Sequence, residues 1–109
     1  MDCIFCKIIN REISGNIIYE DDRVLAFSDI LPKAPVHILV VPKEHVESAH
    51  HLSDDKMEII AHIYKVIKKI AEEKGVAETG YRVITNIGTH GNQTVKHLHF
   101  HIIGGRQLS

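Results

Sequence analysis

The chain has 109 residues, 44% of them hydrophobic and 25% charged, with a formal net charge of -1 when its nine histidines are neutral. That length suits one compact domain over 1–109 that buries roughly 65% of its unfolded surface. With no basic run, neither nucleic acid nor an anionic membrane is an expected partner, whereas a small charged ligand is compatible. No stretch approaches the ~18 apolar residues of a membrane span, and Met1 to Ile9 lack a basic region followed by an apolar run, so a cytoplasmic location is expected. Two cysteines, Cys3 and Cys6, are too few and too close for a disulfide scaffold, which leaves metal, redox chemistry or packing.

In chain order, Ile4, Phe5, Ile8 and Ile9 recur at helical spacing before Ser14 and Gly15, which predicts a short N-terminal helix. Ile17 to Glu20 and Val24 to Ser28 predict a hairpin around Asp21, Asp22 and Arg23. Pro32 and Pro35 shape the loop from Asp29 to Pro35 and disfavour helix there. A strand follows from about Val36 to Val41 and ends at Pro42. Ser53 is the expected N-cap of a long helix, with Leu52 and Met57 as a hydrophobic staple and Asp54 and Asp55 at its positive end. Ile59, Ile60, Ile63, Val66, Ile67, Ile70 and Ala71 form its inward stripe, and Gly75 stops it. Met57, Ala61 and Tyr64 widen that stripe beyond what one sheet covers, which predicts a homodimer with this helix near the two-fold axis. Strands over Tyr81 to Ile87 and His97 to Ile103 flank a Gly-rich polar loop, Gly88 to Thr94. The fold class expected is α+β, a mostly antiparallel five-stranded sheet with one long helix and a short N-terminal helix.

The stretch His97, Leu98, His99, Phe100, His101, Ile102, Ile103 carries the sharpest signal. On a strand the three histidines share one face, and Leu98, Phe100 and Ile102 share the other. Grouped imidazoles combine a nucleophile, a proton donor and an anion-facing group near neutral pH, which suits attack on a phosphoryl or nucleotidyl centre through a covalent intermediate. The neighbouring glycines would let backbone amides approach an anion, with Asn92, Gln93 and Thr94 as donors. The same alternation equally suits a His-ligated metal or a solvated polar face, and the pattern alone leaves these open.

The order His, apolar, His, apolar, His, apolar, apolar resembles the signature of the histidine triad superfamily of nucleotide hydrolases and transferases. Further positions agree: Glu20-Asp21-Asp22-Arg23, Phe27-Ser28-Asp29-Ile30, Ala34-Pro35-Val36-His37, Val41-Pro42-Lys43-Glu44-His45, Asn86, and Gly104-Gly105-Arg106-Gln107. The last group is similar to the histidine triad nucleotide-binding branch, which implies hydrolysis of purine nucleoside 5'-phosphoramidates such as adenosine 5'-monophosphoramidate. It also implies a two-fold homodimer.

By that resemblance His99 is the nucleophile that becomes nucleotidylated, and His101 and His37 bind phosphate or assist the leaving group. Asn86, Gln93 and Thr94 contact phosphate or leaving-group atoms; Thr94 departs from the serine of many relatives. Asp29 accepts from the ribose hydroxyls, and Phe27 and Ile30 wall the base pocket. Catalysis requires no metal. Cys3, Cys6, His45 and His97 make a Cys2His2 set suited to a structural zinc, an arrangement found in some superfamily members, with reduced buried cysteines as the alternative. His50, His51 and His62 read as solvated or packed, and His90 lies in the phosphate-side loop. Ending at Ser109, short of the longer tail of several relatives, predicts a more open leaving-group side. Two alternatives remain: a dinucleoside polyphosphate hydrolase or nucleotidyl transferase using the same triad, and a zinc- and nucleotide-binding interaction module.

Overall fold

The structure, a computed structural model, describes residues 3–109. The order is α1 (Ile4–Ile9), β1 (Ile17–Glu20), β2 (Val24–Ser28), β3 (Val36–Pro42), α2 (Glu58–Glu73), β4 (Tyr81–Ile84) and β5 (Phe100–Gly104). The five strands form one antiparallel sheet in the order β1-β2-β3-β5-β4. The α+β expectation is met, with one long helix and one short one.

Alternation along the strands divides the core in two. Val24, Ala26, Ile38, Val40, Leu98, Phe100 and Ile102 pack against Ile63, Val66, Ile67 and Ile70 of α2. Leu25, Phe27, Leu39 and Val41 face the other way, against Cys3, Phe5 and Ile8 of the N-terminal segment. Each fully buried side chain of this size stabilises the fold by about 1.5–3 kcal/mol relative to exposure. Phe5 places a ring 5.5 Å from that of Phe27, edge-on. Among the described residues, no helix is long and apolar enough to cross a membrane.

Three element boundaries differ from expectation. Ser53 does not cap the long helix: it precedes one 3-10 turn, Asp54–Lys56, and α2 begins at Glu58 with Met57 at the cap position. The Ser53 carbonyl accepts from the Lys56 amide at 2.9 Å, an i to i+3 bond that tightens this turn. Leu52 packs on the core while Met57 stays exposed, so the expected staple is not buried.

The triad strand begins at Phe100 rather than His97, because its neighbour runs out of ladder partners. Val40 pairs with Phe100, and two residues further β3 reaches Pro42, which has no N–H to donate. The Pro42 carbonyl lies 2.8 Å from His97 Nε2, and the Leu98 amide bonds the Val46 carbonyl at 2.7 Å. Similarly β4 ends at Ile84 rather than Ile87, where the Thr85 hydroxyl donates to the His99 carbonyl at 2.8 Å.

Candidate active site

His37 and His101 meet through strand register. His101 lies opposite Leu39 and His37 opposite Ile103, so the two histidines are diagonal neighbours on one face of the β3–β5 pair. His37 Nε2 is 3.0 Å from His101 Nδ1, and 3.2 Å from Asp29 Oδ2 at the end of β2. The His99 ring stands 5.1 Å from that of His101 and 5.1 Å from Phe5, whose edge also meets His97 at 5.9 Å. The expected face therefore forms, although only His101 of the three sits in the regular ladder.

The hydrogen bonds specify where the protons lie. His99 Nδ1 is 2.7 Å from the His97 carbonyl oxygen. A carbonyl only accepts, so Nδ1 carries the proton and Nε2 keeps its lone pair. Burial pushes His99, His37 and His101 below the usual histidine range. His101 falls to about 4, with the neighbouring His99 and His37 adding to the effect of burial. The Asp29 carboxylate opposes the shift at all three without overturning it. At neutral pH the cluster is therefore a set of neutral imidazoles, and the His37–Asp29 contact is a hydrogen bond rather than an ion pair.

The remaining expected nucleotide contacts are placed less uniformly. Asp29 uses Oδ1 to accept from the Leu31 amide at 2.9 Å, an Asx turn that leaves Oδ2 toward His37. Ile30 is 91% exposed on this loop, whereas Phe27 is buried beneath it. Asn86 donates to the Gly91 carbonyl at 2.8 Å. Gln93 accepts from the Gly88 amide at 2.9 Å and donates to the carbonyls of Glu47 and Val95 at 2.6 and 3.0 Å. Both amides thus hold the loop over residues 86–95 in shape, and Thr94 is exposed within it. Gly91 belongs there for steric reasons: a Cβ would stand 2.3 Å from the Ile87 carbonyl oxygen.

A second cluster lies behind the first. Cys3, Cys6, His45 and His97 bring their ligand atoms within 4.8 Å of one another. His97 Nδ1 is 3.3 Å from Cys3 Sγ, 3.6 Å from Cys6 Sγ and 3.1 Å from His45 Nδ1, and Cys6 Sγ is 3.4 Å from His45 Nδ1. A tetrahedral zinc with ~2.1 Å bonds to nitrogen and ~2.3 Å bonds to sulfur needs separations of about 3.4 Å between nitrogens and about 3.6 Å between nitrogen and sulfur. The four residues fit that ion. His97 Nε2–H donates to the Pro42 carbonyl, which frees Nδ1 as the ligand atom and fixes the ring. Beside this cluster, a cleft of about 620 Å³ is lined by His45, Lys43, Pro42, His51 and Leu52 among others.

Several contributors carry no sequence signal. Phe5 touches two of the triad rings, Thr85 holds the His99 carbonyl, and the Lys33 amide bonds His37 Nδ1 at 3.1 Å. Two histidines read as solvated or packed have defined partners. His51 Nδ1 is 2.7 Å from the hydroxyl of buried Ser48, and His62 Nε2 is 2.8 Å from Asp21 Oδ2. His90 is exposed in the loop.

Comparison with known proteins agrees with this arrangement. The family model described as "Scavenger mRNA decapping enzyme C-term binding" matches residues 2–108. The purine nucleoside phosphoramidase of Escherichia coli is 46% identical over 107 residues, covering 98% of this chain and 90% of that protein. A HIT-like protein of Synechococcus elongatus is 47% identical over 108 residues, covering 99% and 94% of the two chains. Among solved structures, a histidine triad protein from Clostridium difficile is similar at a TM-score of 0.98 and 59% identity, covering 100% of this chain and 95% of that one. A HIT family hydrolase from Clostridium thermocellum gives 0.96 at 48% identity, covering 99% and 94%. On the triad, its supporting residues and these matches together, the chain belongs to the histidine triad superfamily.

Proposed function

We propose that this protein hydrolyses purine nucleoside 5'-phosphoramidates through a nucleotidyl-His99 intermediate. The observation that carries the reading is the bond from His99 Nδ1–H to the His97 carbonyl at 2.7 Å, which leaves a neutral imidazole with its Nε2 lone pair available. A similar protein, the phosphoramidase of Escherichia coli, supports the substrate class, and the similar HIT family hydrolase supports the reaction class.

In the first step His99 Nε2 attacks the α-phosphorus and the P–N bond to the amine breaks. His101 Nε2–H donates a hydrogen bond to the departing nitrogen, which takes a proton from water and leaves as the amine. In the second step the hydroxide left by that water attacks the same phosphorus, and the P–N bond to His99 breaks to release the nucleoside monophosphate and neutral His99. Asp29 accepts from the ribose hydroxyls, Phe27 and Ile30 form the base side, and Asn86 and Thr94 serve the phosphate side on the loop that Gln93 holds in shape. The cluster of Cys3, Cys6, His45 and His97 holds a structural zinc, which fixes the N-terminal segment to the start of the triad and takes no part in either step. A second copy packs on the α2 stripe formed by the exposed Met57, Ala61 and Tyr64.

Assaying adenosine 5'-monophosphoramidate, a lysyl-AMP phosphoramidate and a diadenosine polyphosphate side by side tests the reading. Preferential turnover of the two P–N substrates is expected. Preference for the polyphosphate would transfer the same triad to dinucleotide hydrolysis, and tight nucleotide binding without turnover of any of them would leave a binding module.

A further inference from the structure

The loop between β2 and β3 reaches the histidine cluster through a backbone atom. The Lys33 amide donates to His37 Nδ1 at 3.1 Å, and a ring nitrogen that accepts carries no proton, so neutral His37 is protonated on Nε2. That single Nε2–H lies between Asp29 Oδ2 at 3.2 Å and His101 Nδ1 at 3.0 Å and is shared by the two acceptors; His101 Nδ1, facing a donor, keeps its own proton on Nε2. One backbone amide therefore orders two rings in series. The reverse arrangement would set His37 Nδ1–H against the Lys33 N–H, two donors facing each other. The same logic disfavours a cation among Asp29, His37 and His101. Their ligand atoms cluster within 4.8 Å, but coordination through His37 Nε2 would move its proton onto Nδ1.

The position of that amide depends on the segment after the triad. The Lys33 carbonyl accepts from Arg106 Nη2 at 2.8 Å. Gly105, with φ at +94°, brings the chain so close to the same loop that a Cβ there would stand 3.0 Å from Pro35 Cβ. Any other residue at 105 would carry backbone strain and a contact against a rigid ring. Gly105 thus permits the approach, and Arg106 completes it.

We propose that Arg106 is a positioning residue: by holding the Lys33 carbonyl it keeps the Lys33 N–H on His37, and through His37 it keeps the proton of His101 on Nε2. It touches neither ring. The catalytic consequence rests on the hydrogen bond given to His101 above, because a His101 with its proton on Nδ1 has no N–H to present to the departing nitrogen from Nε2.

The test reads the tautomers directly and needs no substrate. In two-bond proton–nitrogen correlation spectra of ¹⁵N-histidine-labelled protein at neutral pH, His37 and His101 are expected to be protonated on Nε2 only. In Arg106→Ala both rings become tautomer mixtures, kcat on a phosphoramidate falls about tenfold, and KM changes by less than about twofold. Arg106→Lys, which keeps a donor, recovers part of both signals. A wild-type His37 protonated on Nδ1 overturns the proposal, and so does an Arg106→Ala protein that loses kcat with unchanged tautomers. Should Arg106→Ala not fold, Arg106→Gln and Arg106→Lys give the same comparison in graded form. If the wild type turns over no phosphoramidate while the tautomers shift as described, the substrate reading fails and the positioning role stands.

Discussion

His99 Nδ1 lies 2.7 Å from the carbonyl oxygen of His97, and His97 turns its own Nδ1 to within 3.3 Å of Cys3. One residue thus belongs to two clusters: its backbone orients the His99 ring and its own ring faces the cysteines.

His99 is the most direct place to test the proposed covalent route. His99→Ala should lower phosphoramidate turnover by about 10⁴-fold or more while AMP binding stays measurable by calorimetry. In the wild type, rapid quenching followed by mass spectrometry should find AMP on the peptide containing His99. Full activity in the variant would eliminate the covalent route.

The four-ligand cluster predicts one zinc per chain by elemental analysis, and none in Cys6→Ser. Removing a ligand held at about a thousand times its Kd costs about 4 kcal/mol, so chelation should lower Tm by roughly 10 °C or more. Below that lowered Tm, turnover should persist, since no step runs through the ion. Immediate loss of turnover on chelation, with the fold intact, would contradict a purely structural role.

Acidification should act through the buried imidazoles. Folded-state values lie below the unfolded value of about 6.5, and His101 lies at about 4. Between those limits the unfolded chain binds more protons, so their contribution to stability is complete above about pH 6.5 and is lost as pH falls toward 4. The acid limb of kcat/KM should accordingly lie below 6.5. A limb at or above that value would mean the site is more hydrated than its burial indicates.

Away from the site, Asp21 clamps the β1–β2 turn to α2. It accepts from the amides of Arg23 and Val24 and from the Tyr19 hydroxyl, each at 2.8 Å, and faces His62 Nε2 at the same distance. Burial raises its carboxyl, yet these bonds together outweigh burial and hold it at about 2. Lys69 adds its ammonium 5.4 Å above the Tyr19 ring. Asp21→Ala should cost about 2 kcal/mol in chemical denaturation with kcat unchanged. A loss under half a kcal/mol would show the clamp to be dispensable.

The exposed stripe of Met57, Ala61 and Tyr64 predicts a dimer in sedimentation at micromolar concentration, and Ala61→Glu should shift it to monomer without lowering the stability of the helix. A wild type that sediments only as monomer would remove the α2 interface.

Much of the architecture was legible because steric periodicity is local. The alternation of Leu98, Phe100 and Ile102 against the three histidines assigns each set to its face wherever the ladder begins, since side-chain direction reverses at every residue. The stripe from Ile59 to Ala71 likewise selects a helix and its buried side. Boundaries were less legible because they depend on neighbours distant in sequence: Pro42, 58 residues before Phe100, decides where β5 starts, and the Thr85 side chain decides where β4 stops.

By itself the sequence determined which residue types share a face and, through its motifs, which family they resemble. Only tertiary structure decided what each histidine is. A ring's proton goes where its partners direct it, and those partners are the His97 carbonyl for His99, the Pro42 carbonyl for His97 and the Lys33 amide for His37. The same holds for Cys3 and His97, 94 residues apart and 3.3 Å from each other. Three like imidazoles become three unlike rings because folding gives each a different hydrogen-bond partner.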